Sequence, residues 1–205
     1  MPVVVVANPK GGVGKSTLAT NIAGFFASRG HKVMLGDLDR QQSSRLWLGL
    51  RPPLARPIAS WDVGEKELAR PPKGTTHVVL DTPAGMHGKL FKEALKIADK
   101  VVVPLQPSIF DIYATRAFLD ELAQHSKASH MQVGIVGMRV DPRTIAADHL
   151  QDFTKSLGLP VLGYLRPTQN YIHLAARGLT LFDVAPARVE RDLEQWAGLC
   201  RWLDT

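Results

Sequence analysis

The chain has 205 residues, 45% of them hydrophobic and 21% charged, and a formal net charge of +6. This composition is typical of a globular chain with a sizeable core, and it excludes disordered and fibrous proteins. The single cysteine, Cys200, excludes an internal disulfide and a zinc or iron–sulfur site built from several cysteines. The positive charge favours a polyanionic partner, nucleic acid or an acidic lipid surface, although ordinary solvated lysines and arginines explain it equally well.

The apolar run at the start of the sequence is short. It covers residues 3–7, which is five residues, whereas a membrane span needs about 20. No segment with the charged and then apolar character of a signal peptide precedes this run. We therefore expect the protein to remain in the cytoplasm.

Short β-branched runs alternate with longer helical patterns along the chain. Strands are predicted at residues 3–7, 32–39, 77–81, 100–105, 132–140 and 161–165. Helices are predicted at residues 15–29, 88–98, 110–125, 144–157 and 170–177. Several of the strands are apolar on both faces, as in a parallel sheet covered on both sides. The alternation predicts an α/β fold with a doubly wound, mainly parallel sheet and helices on both faces, in one domain of residues 1–205.

Two segments depart from this alternation. Residues 51–74 contain the proline-rich sequences RPPLARP and RPPKG, which disfavour regular helix or central strand, so we expect a surface excursion here. In the terminal segment, residues 187–203, one helical face carries Val189, Leu193, Trp196, Cys200 and Leu203. This apolar face predicts a helix packed on the sheet. A helix lying on a membrane surface is the alternative, which the acidic residues of the polar face disfavour.

The sequence GGVGKST, residues 11–17, follows the first predicted strand and opens the first predicted helix. Glycines remove side chains where the backbone bends sharply, and the backbone N–H groups can then point at phosphate oxygens. The positive end of the following helix adds to the attraction for an anion. The predicted nucleotide-binding residues are Gly11, Gly12, Val13, Gly14, Lys15, Ser16 and Thr17. Among them, Lys15 is expected to contact the β and γ phosphates, and Ser16 to offer its hydroxyl to Mg²⁺.

Lys10 adds a second lysine to this glycine-rich sequence. Pro9 stands where the general GxxxxGK(S/T) pattern has its first glycine, and Lys10 follows it. The resulting KGGVGKST resembles the deviant Walker A motif of the ParA/MinD family of ATPases, in which the additional lysine is the signature. GDLDRQQSS (36–44) resembles switch I of that family, VVLDTPAG (78–85) its Walker B and switch II sequence, and VVVPLQPS (101–108) the strand and loop that follow.

The resemblance implies a P-loop NTPase fold that hydrolyses ATP to ADP and phosphate with Mg²⁺ as cofactor. It assigns catalytic roles to Lys10, Lys15 and Asp39. Lys10 would reach across a nucleotide-sandwich dimer to the partner's ATP, and Asp39 would position or activate the attacking water. Arg40 departs from the family's usual DxDPQ, in which proline stands at its position.

The resemblance also implies a metal site formed by Ser16, Asp81 and Asp37. Asp81 would hold Mg²⁺ through water, and Asp37 would belong to the outer shell of the metal. Asp39 and Asp81 are expected to end strands at the edge where open α/β sheets place ligands. An aspartate at the end of a strand can alternatively cap the following helix.

GMRVDPRT, residues 137–144, lies where the family often has an asparagine that reads adenine. Met138 and Arg139 stand there instead, and either side chain can pack on a purine ring by apolar or cation–π contact. These two residues complete the predicted cofactor-binding set. The resemblance favours ATP over GTP.

The function that the resemblance implies is an ATP-dependent switch. ATP would close a homodimer, the dimer would bind non-specific DNA, and a cargo or adaptor protein would stimulate hydrolysis, so that DNA or protein cargo is positioned or segregated. We thus expect a nucleoid-associated protein. Doubling the phosphate contacts of a weak electrostatic site strengthens DNA binding steeply. The candidate DNA contacts are Arg166, Arg177, Arg188 and Arg191, although each alone is more often an ordinary surface arginine.

Two other functions stay open at this point. A MinD-like ATPase that cycles on a membrane shares the same motifs. A metabolic P-loop ligase similar to dethiobiotin synthetase would need substrate-binding residues that no motif supplies. Nitrogenase-reductase relatives need cluster cysteines, which the lone Cys200 does not supply. Plasmid-type members carry an N-terminal DNA-binding domain, for which a phosphate loop starting at residue 10 is expected to leave no room.

Overall fold

A parallel sheet forms the centre of the molecule. The computed structural model describes residues 1–63, 68, 70–85, 89–125 and 128–205. The strands are β1 (Val3–Val6), β2 (Val33–Asp37), β3 (Ile58–Trp61), β4 (His77–Asp81), β5 (Lys100–Leu105), β6 (Gln132–Gly137) and β7 (Val161–Tyr164). Their order is β3-β2-β4-β1-β5-β6-β7, and each neighbouring pair is parallel. The predicted α/β fold of the P-loop NTPase type is confirmed.

β1 lies at the point where the strand order changes direction. It pairs with β4 on one side and with β5 on the other. In open sheets of this kind, ligands bind beyond the carboxyl ends of the strands at such a switch point. The loop that follows β1 therefore occupies the position in the fold that is best suited to a ligand.

Helices cover both faces of the sheet. They are α1 (Lys15–Ser28), α2 (Ser43–Gly49), α3 (Lys89–Ile97), α4 (Ile109–Ala123), α5 (Ile145–Ser156), α6 (Asn170–Ala175) and α7 (Glu190–Leu203). One apolar layer packs α3, α4 and α5 on one face, and a second packs α1, α2 and α7 on the other. Each aliphatic side chain fully buried in these layers contributes about 1.5–3 kcal/mol. Within the described residues, none of the helices is long and apolar enough to cross a membrane.

The terminal helix packs on the sheet, as predicted. Trp196 is fully buried there, and its indole N–H donates to the Tyr171 hydroxyl at 2.8 Å. The Lys100 ammonium donates to the backbone carbonyls of Trp202 and Leu203 and so satisfies the end of the helix. The helix begins at Glu190 and not at residue 187, because Pro186–Arg188 forms a short 3-10 turn.

Two elements were not predicted from the sequence. Residues 51–74, expected to be a surface excursion, contain β3, which pairs with β2 at the edge of the sheet. The prolines lie before and after this strand and do not interrupt it, which is where an edge strand tolerates them. α2 has seven residues, too few to show a helical period.

Two predicted strands extend two or three residues too far, whereas two others extend one residue too far, at residues 7 and 165. β2 ends at Asp37 and not at residue 39, because the Asp37 carboxylate accepts the backbone N–H groups of Asp39 and Ser44 and turns the chain. β6 ends at Gly137 and not at residue 140, because Arg139 has a φ of 53°, which a strand does not allow. The predicted start of α3, residue 88, lies outside the described residues.

Candidate nucleotide-binding site

The loop between β1 and α1 has the backbone shape that the glycines predicted. Gly14, which precedes the first residue of α1, has a φ of 96°, in the left-handed region that other residues rarely adopt. A Cβ at Gly14 would also lie 2.7 Å from the Met138 Cε, so the Met138 side chain would have to move. The first backbone N–H groups of α1 lack partners within the helix and face the loop, which makes this turn a suitable anion site.

Asn8 anchors the loop to the neighbouring strand, although the sequence did not identify it as functional. Its Nδ2 donates to the Pro104 carbonyl at 2.8 Å and to the Thr115 hydroxyl at 2.9 Å. Its Oδ1 accepts the backbone N–H of Lys10 at 2.8 Å. Because Asn8 is fully buried, these bonds hold the start of the loop in one position.

Gln106 was also missed, and it holds the middle of the loop. Its Nε2 donates to the Gly12 carbonyl at 2.8 Å. The Pro9 carbonyl accepts the backbone N–H of Gly85 at 2.8 Å, which ties the loop to the segment after β4. The phosphate loop is therefore connected to both neighbouring strands, β4 and β5.

Lys15 is a buried cation that lies inside the loop. Its ammonium donates to the Lys10 carbonyl at 2.7 Å. Burial lowers the pKa of Lys15, and the nearby carboxylates of Asp81 and Asp39 oppose this shift. A buried ammonium bonded to a neutral carbonyl gains a stronger, charge-assisted partner when an anion enters the loop.

Lys10 lies at the outer margin of the loop. Its Nζ is 4.0 Å from Asp111 Oδ1 near the start of α4, and its side chain is 42% exposed. At this exposure the pair contributes little to stability. Lys10 is thus accessible to another molecule that approaches the same edge of the sheet.

Asp81 ends β4 beside Lys15 and is 1% exposed. Its Oδ2 accepts a hydrogen bond from the Ser44 hydroxyl at 2.6 Å, whereas its buried Oδ1 has no hydrogen-bond partner within the described residues. Burial raises the pKa of Asp81 to about 6, and the hydroxyls of Ser16 and Ser44 oppose the shift. An unpaired buried carboxylate oxygen is costly, so it points to a cation or to water that a cation holds.

The donor set around Asp81 fits Mg²⁺ bound mainly through water and phosphate. Within the described parts of the chain, no group of three or more His, Cys, Asp or Glu side chains is placed to hold a metal. Mg²⁺ characteristically keeps several waters and takes one or two carboxylates together with substrate phosphates. Asp81 and the Ser16 hydroxyl are the groups of this chain that match that pattern.

Asp37 has a structural task that the sequence did not predict. Its Oδ1 accepts the backbone N–H of Asp39 at 2.9 Å, and its Oδ2 accepts that of Ser44 at 2.8 Å. Burial raises the pKa of Asp37 although these hydrogen bonds oppose the shift. Asp37 therefore orders the start of α2, and its membership of the metal shell stays a prediction.

Asp39 lies two residues beyond the end of β2, so the expectation that it ends a strand was wrong. Its Oδ1 accepts the backbone N–H of Gln41 at 3.0 Å. Its charge acts on Lys15, which places Asp39 at the same edge of the sheet as the phosphate loop.

A cavity of about 690 Å³ continues from the phosphate loop past Gly14 and Thr17. It contains both residues expected near the base, buried Met138 and exposed Arg139. Its far side is formed by Arg166, Pro167, Thr168, Gln169, Tyr171 and Ile172. The structure thus brings the predicted base residues next to the predicted phosphate residues.

The four arginines predicted to contact DNA fall into two groups. Arg166 lines the cavity, and its Nε lies 2.7 Å from Oδ1 of the fully buried Asp192. Arg177, Arg188 and Arg191 are exposed, near the end of α6 and the start of α7. DNA contact by these residues stays a prediction, and the pairing of Arg166 gives that residue a structural task of its own.

The sequence and the fold match known nucleotide-binding proteins. A family model described as the CobQ/CobB/MinD/ParA nucleotide binding domain matches residues 4–181. The chain is 28% identical over 189 residues to the maintenance of carboxysome distribution protein A of Gloeobacter kilaueensis, which covers 88% of this chain and 84% of that protein. It is 28% identical over 183 residues to the chromosome-partitioning ATPase Soj of Thermus thermophilus, covering 72% of this chain and 73% of Soj.

A solved structure shows the same fold. A Cyanothece McdA variant in complex with ATP has a TM-score of 0.71 with this chain at 16% identity, and the match covers 95% of this chain and 94% of that one. At this identity the likeness shows the fold alone.

Proposed function

Since the chain belongs to the family of CobQ/CobB/MinD/ParA nucleotide-binding domains, we propose that it is an ATPase that acts as a dimerising switch. ATP closes two copies, the closed dimer binds non-specific DNA, and hydrolysis releases it, so that DNA or protein cargo is positioned or segregated. Hydrolysis would be stimulated by a cargo or adaptor protein, and the protein would associate with the nucleoid. Carboxysome distribution and chromosome partitioning are the tasks named for two of its relatives.

The unpaired Oδ1 of Asp81 is the observation that carries this proposal. It is buried beside a cationic lysine and a serine hydroxyl at the N-terminus of α1. These groups suit a triphosphate and its Mg²⁺ together, because each one is left imperfectly satisfied without them. A metabolite-binding loop with no metal would not require a buried carboxylate at this position.

The residues of the loop would perform distinct parts of the reaction. Lys15 leaves the Lys10 carbonyl and binds the β and γ phosphates, where its charge stabilises the transferred phosphoryl group. Bound Mg²⁺, held by Ser16 and through water by Asp81, would neutralise charge that develops on the phosphates. Asp39 would orient the attacking water from the other side of the phosphate loop.

The cavity beside the loop supports adenine over guanine. A carboxylate is the strongest acceptor for the guanine N–H groups at N1 and N2, and none of the described residues that line this cavity is acidic. Asp192, which contacts the lining residue Arg166, already accepts hydrogen bonds from Arg166 and Asn170. Met138 and Arg139 offer apolar and cation–π packing that suits either purine.

The exposed start of α4 supports dimerisation. Phe110 and Tyr113 are 74% and 69% exposed, and Ile109 beside them is also exposed. Asp111 on the same turn contacts Lys10, so the apolar group lies next to the lysine expected to reach the partner's ATP. A second copy that brings Lys10 to its nucleotide would cover these side chains and gain from their burial.

Sedimentation of the purified chain tests the proposal. Wild type and a Lys10→Ala variant are compared with ATP, with ADP and without nucleotide, each with and without duplex DNA at low salt. We expect wild type to dimerise and to bind DNA with ATP only, whereas Lys10→Ala stays monomeric. Lys92→Ala, which removes an exposed lysine from α3, is the matched control. A wild-type protein that stays monomeric with ATP at high concentration would contradict the proposal, and recovery with anionic liposomes in place of DNA would favour membrane cycling.

A further inference from the structure

A second concave site lies at the amino edge of the sheet, opposite the phosphate loop. The residues that line it lie just before or at the start of three neighbouring strands: residues 30–34 at β2, residues 56–59 at β3 and residues 72–75 before β4. The phosphate loop lies at the carboxyl edge. At about 3.3 Å per residue, the five residues of β2 separate the two edges. We call this second site the amino-edge pocket.

The amino-edge pocket carries cations that have no counter-charge. Lys32, Arg56 and Lys73 are exposed in its lining, and none of the lining residues that the structure describes is acidic. None of the three forms an ion pair within the described residues. Elsewhere the chain does pair its partly buried arginines, as Arg51 with Asp183 and Arg166 with Asp192. Three unpaired cations around one cavity attract an anion.

Backbone hydrogen bonds hold the cationic positions in place. The Lys32 N–H donates to the Thr76 hydroxyl, and the Lys32 carbonyl accepts the Thr76 N–H, each at 2.9 Å. The Arg56 carbonyl accepts two bonds from the Arg51 guanidinium, at 2.8 and 2.6 Å. Gly74, with a φ of 92°, turns the intervening loop so that a Cβ there would lie 3.9 Å from the Lys32 Nζ. The rim of the pocket is therefore formed before any ligand arrives.

The interior of the amino-edge pocket is apolar. Val33 and Met34 lie in its lining, but their side chains are almost fully buried in the apolar layers on opposite faces of the sheet. The accessible apolar surface of the pocket is that of Pro57, Ala59 and Pro72. Its volume is about 410 Å³, which lies within the range of small-molecule sites, about 300–1,000 Å³. An inorganic anion would leave this apolar surface in contact with water.

We propose that the amino-edge pocket binds an organic anion, with its phosphate or carboxylate held by Lys32, Arg56 and Lys73 and its apolar body on the exposed side chains of Pro57, Ala59 and Pro72. The same chemistry is offered by a small aryl or alkyl phosphate and by the free carboxyl terminus of a peptide. This site does not depend on the nucleotide or on the dimer.

Titration of the labelled full chain tests the site. The ¹⁵N-labelled protein is first saturated with ADP and Mg²⁺, which occupies the phosphate loop, and phenyl phosphate is then added while the amide signals of Val33, Gly74 and Thr75 are followed. We expect saturable shifts, with inorganic phosphate and benzyl alcohol each binding roughly tenfold more weakly because each offers half of the recognition. A phenylalanine tripeptide and its C-terminal amide form a second arm, which identifies a peptide end as the source if only the free acid binds.

Charge-reversal variants distinguish binding of phenyl phosphate at the amino-edge pocket from a general attraction of anions to a basic protein. Lys32→Glu combined with Lys73→Glu should weaken phenyl phosphate binding at least roughly tenfold. Lys92→Glu combined with Lys96→Glu, on exposed positions of α3, makes the same change of charge outside the pocket and should have little effect. ADP affinity reports that the variants are folded. Equal binding of phosphate or duplex DNA, displacement of the probe by ADP, or an unaltered double variant would each overturn the assignment. None of these outcomes bears on ATP-dependent dimerisation, which is measured separately.

Discussion

The phosphate loop and the segment after β2, residues 38–42, face the same edge of the sheet but are held in different ways. Hydrogen bonds connect the phosphate loop to other parts of the fold, since Asn8 donates to Pro104 and Thr115 and Gln106 donates to Gly12. The segment after β2 depends largely on two carboxylates, since Asp37 accepts the N–H groups that begin α2 and Asp81 accepts the Ser44 hydroxyl. Residues outside the metal and phosphate groups hold the phosphate loop in place. The segment after β2 is instead held by Asp37 and Asp81, which belong to the candidate site.

The two carboxylates show what this difference means. Asp37 and Asp81 are register partners at the ends of β2 and β4. Both oxygens of Asp37 accept backbone N–H groups, whereas Asp81 keeps one oxygen unpaired. Binding of a ligand at Asp81 can therefore shift α2 through the Ser44 hydroxyl, while the phosphate loop stays in place. We infer that nucleotide binding depends on the phosphate loop and that hydrolysis depends on the position of the segment after β2.

The largest expected effect is that of Lys15→Ala on ATP binding. Removal of a charge-assisted bond to phosphate should lower ATP affinity by roughly 100-fold. The nucleotide-free variant should be no less stable than wild type, because burial already disfavours the charged form of Lys15 and lowers its pKa. Calorimetric titration and urea unfolding measure the two quantities. Lys92→Ala is the control, and wild-type affinity in Lys15→Ala would show that the loop does not hold the phosphates.

The second prediction concerns the dependence of the free energy of unfolding on pH. Burial raises the pKa of Asp81 from 3.8 to about 6, so the folded protein binds this proton more tightly than the unfolded chain. The contribution of Asp81 to stability is therefore greatest at low pH and is lost as the pH rises through about 6. Asp81→Asn removes the buried charge, so its free energy of unfolding at pH 7 should exceed that of wild type by roughly 3 kcal/mol. The gain should shrink as the pH is lowered towards 4.

Urea unfolding of the nucleotide-free protein at several pH values measures this difference. Asp120→Asn, on an exposed position of α4, is the matched control and should give no such gain. The same Asp81→Asn variant should lose Mg²⁺-dependent hydrolysis. A variant that is less stable than wild type at pH 7 would mean that the Asp81 carboxylate is better satisfied than the structure indicates.

A third effect compares the two loops directly. Asn8→Ala removes the anchor of the phosphate loop and should cost about 1–3 kcal/mol of stability, with a loss of ATP affinity of roughly tenfold. Ser44→Ala breaks the bond to Asp81 Oδ2 and should change ATP affinity by less than about threefold while it lowers kcat, since α2 and the segment before it lose their link to β4. Binding by calorimetry and turnover by phosphate release separate the two variants. A loss of ATP affinity in Ser44→Ala together with a loss of kcat alone in Asn8→Ala would contradict the separate roles proposed for the two loops.

The sequence allowed the phosphate site to be predicted because its residues are contiguous. The glycines, Lys15 and Ser16 lie within one strand–loop–helix unit, so spacing alone places them together. Asp81 could be placed because a buried strand ends there and parallel strands share a carboxyl edge. The parallel character of the sheet followed from the alternation of strands and helices, whereas the order of the strands was not predicted.

The residues that brace the site could not be predicted in this way. Asn8 reaches a carbonyl 96 residues away, and Gln106 reaches one 94 residues away. Such pairs depend on which strands become neighbours, and that information is not local. The capping by Asp37 and the pairing of Arg166 with Asp192 were missed for the same reason, because an aspartate or an arginine in the sequence does not reveal its partner.

The smallest expected effects concern the arginines, and they distinguish a surface contact from a structural one. Arg177→Ala, Arg188→Ala and Arg191→Ala should each leave stability nearly unchanged and lower the slope of DNA affinity against salt by about 1, since each removes one phosphate contact. Arg166→Ala should behave differently, because it leaves the buried Asp192 without its guanidinium and should cost about 1–3 kcal/mol of stability. DNA binding by the ATP-bound protein at several salt concentrations, together with unfolding curves, measures both. If the three exposed arginines leave the slope unchanged, the DNA surface lies elsewhere on the dimer.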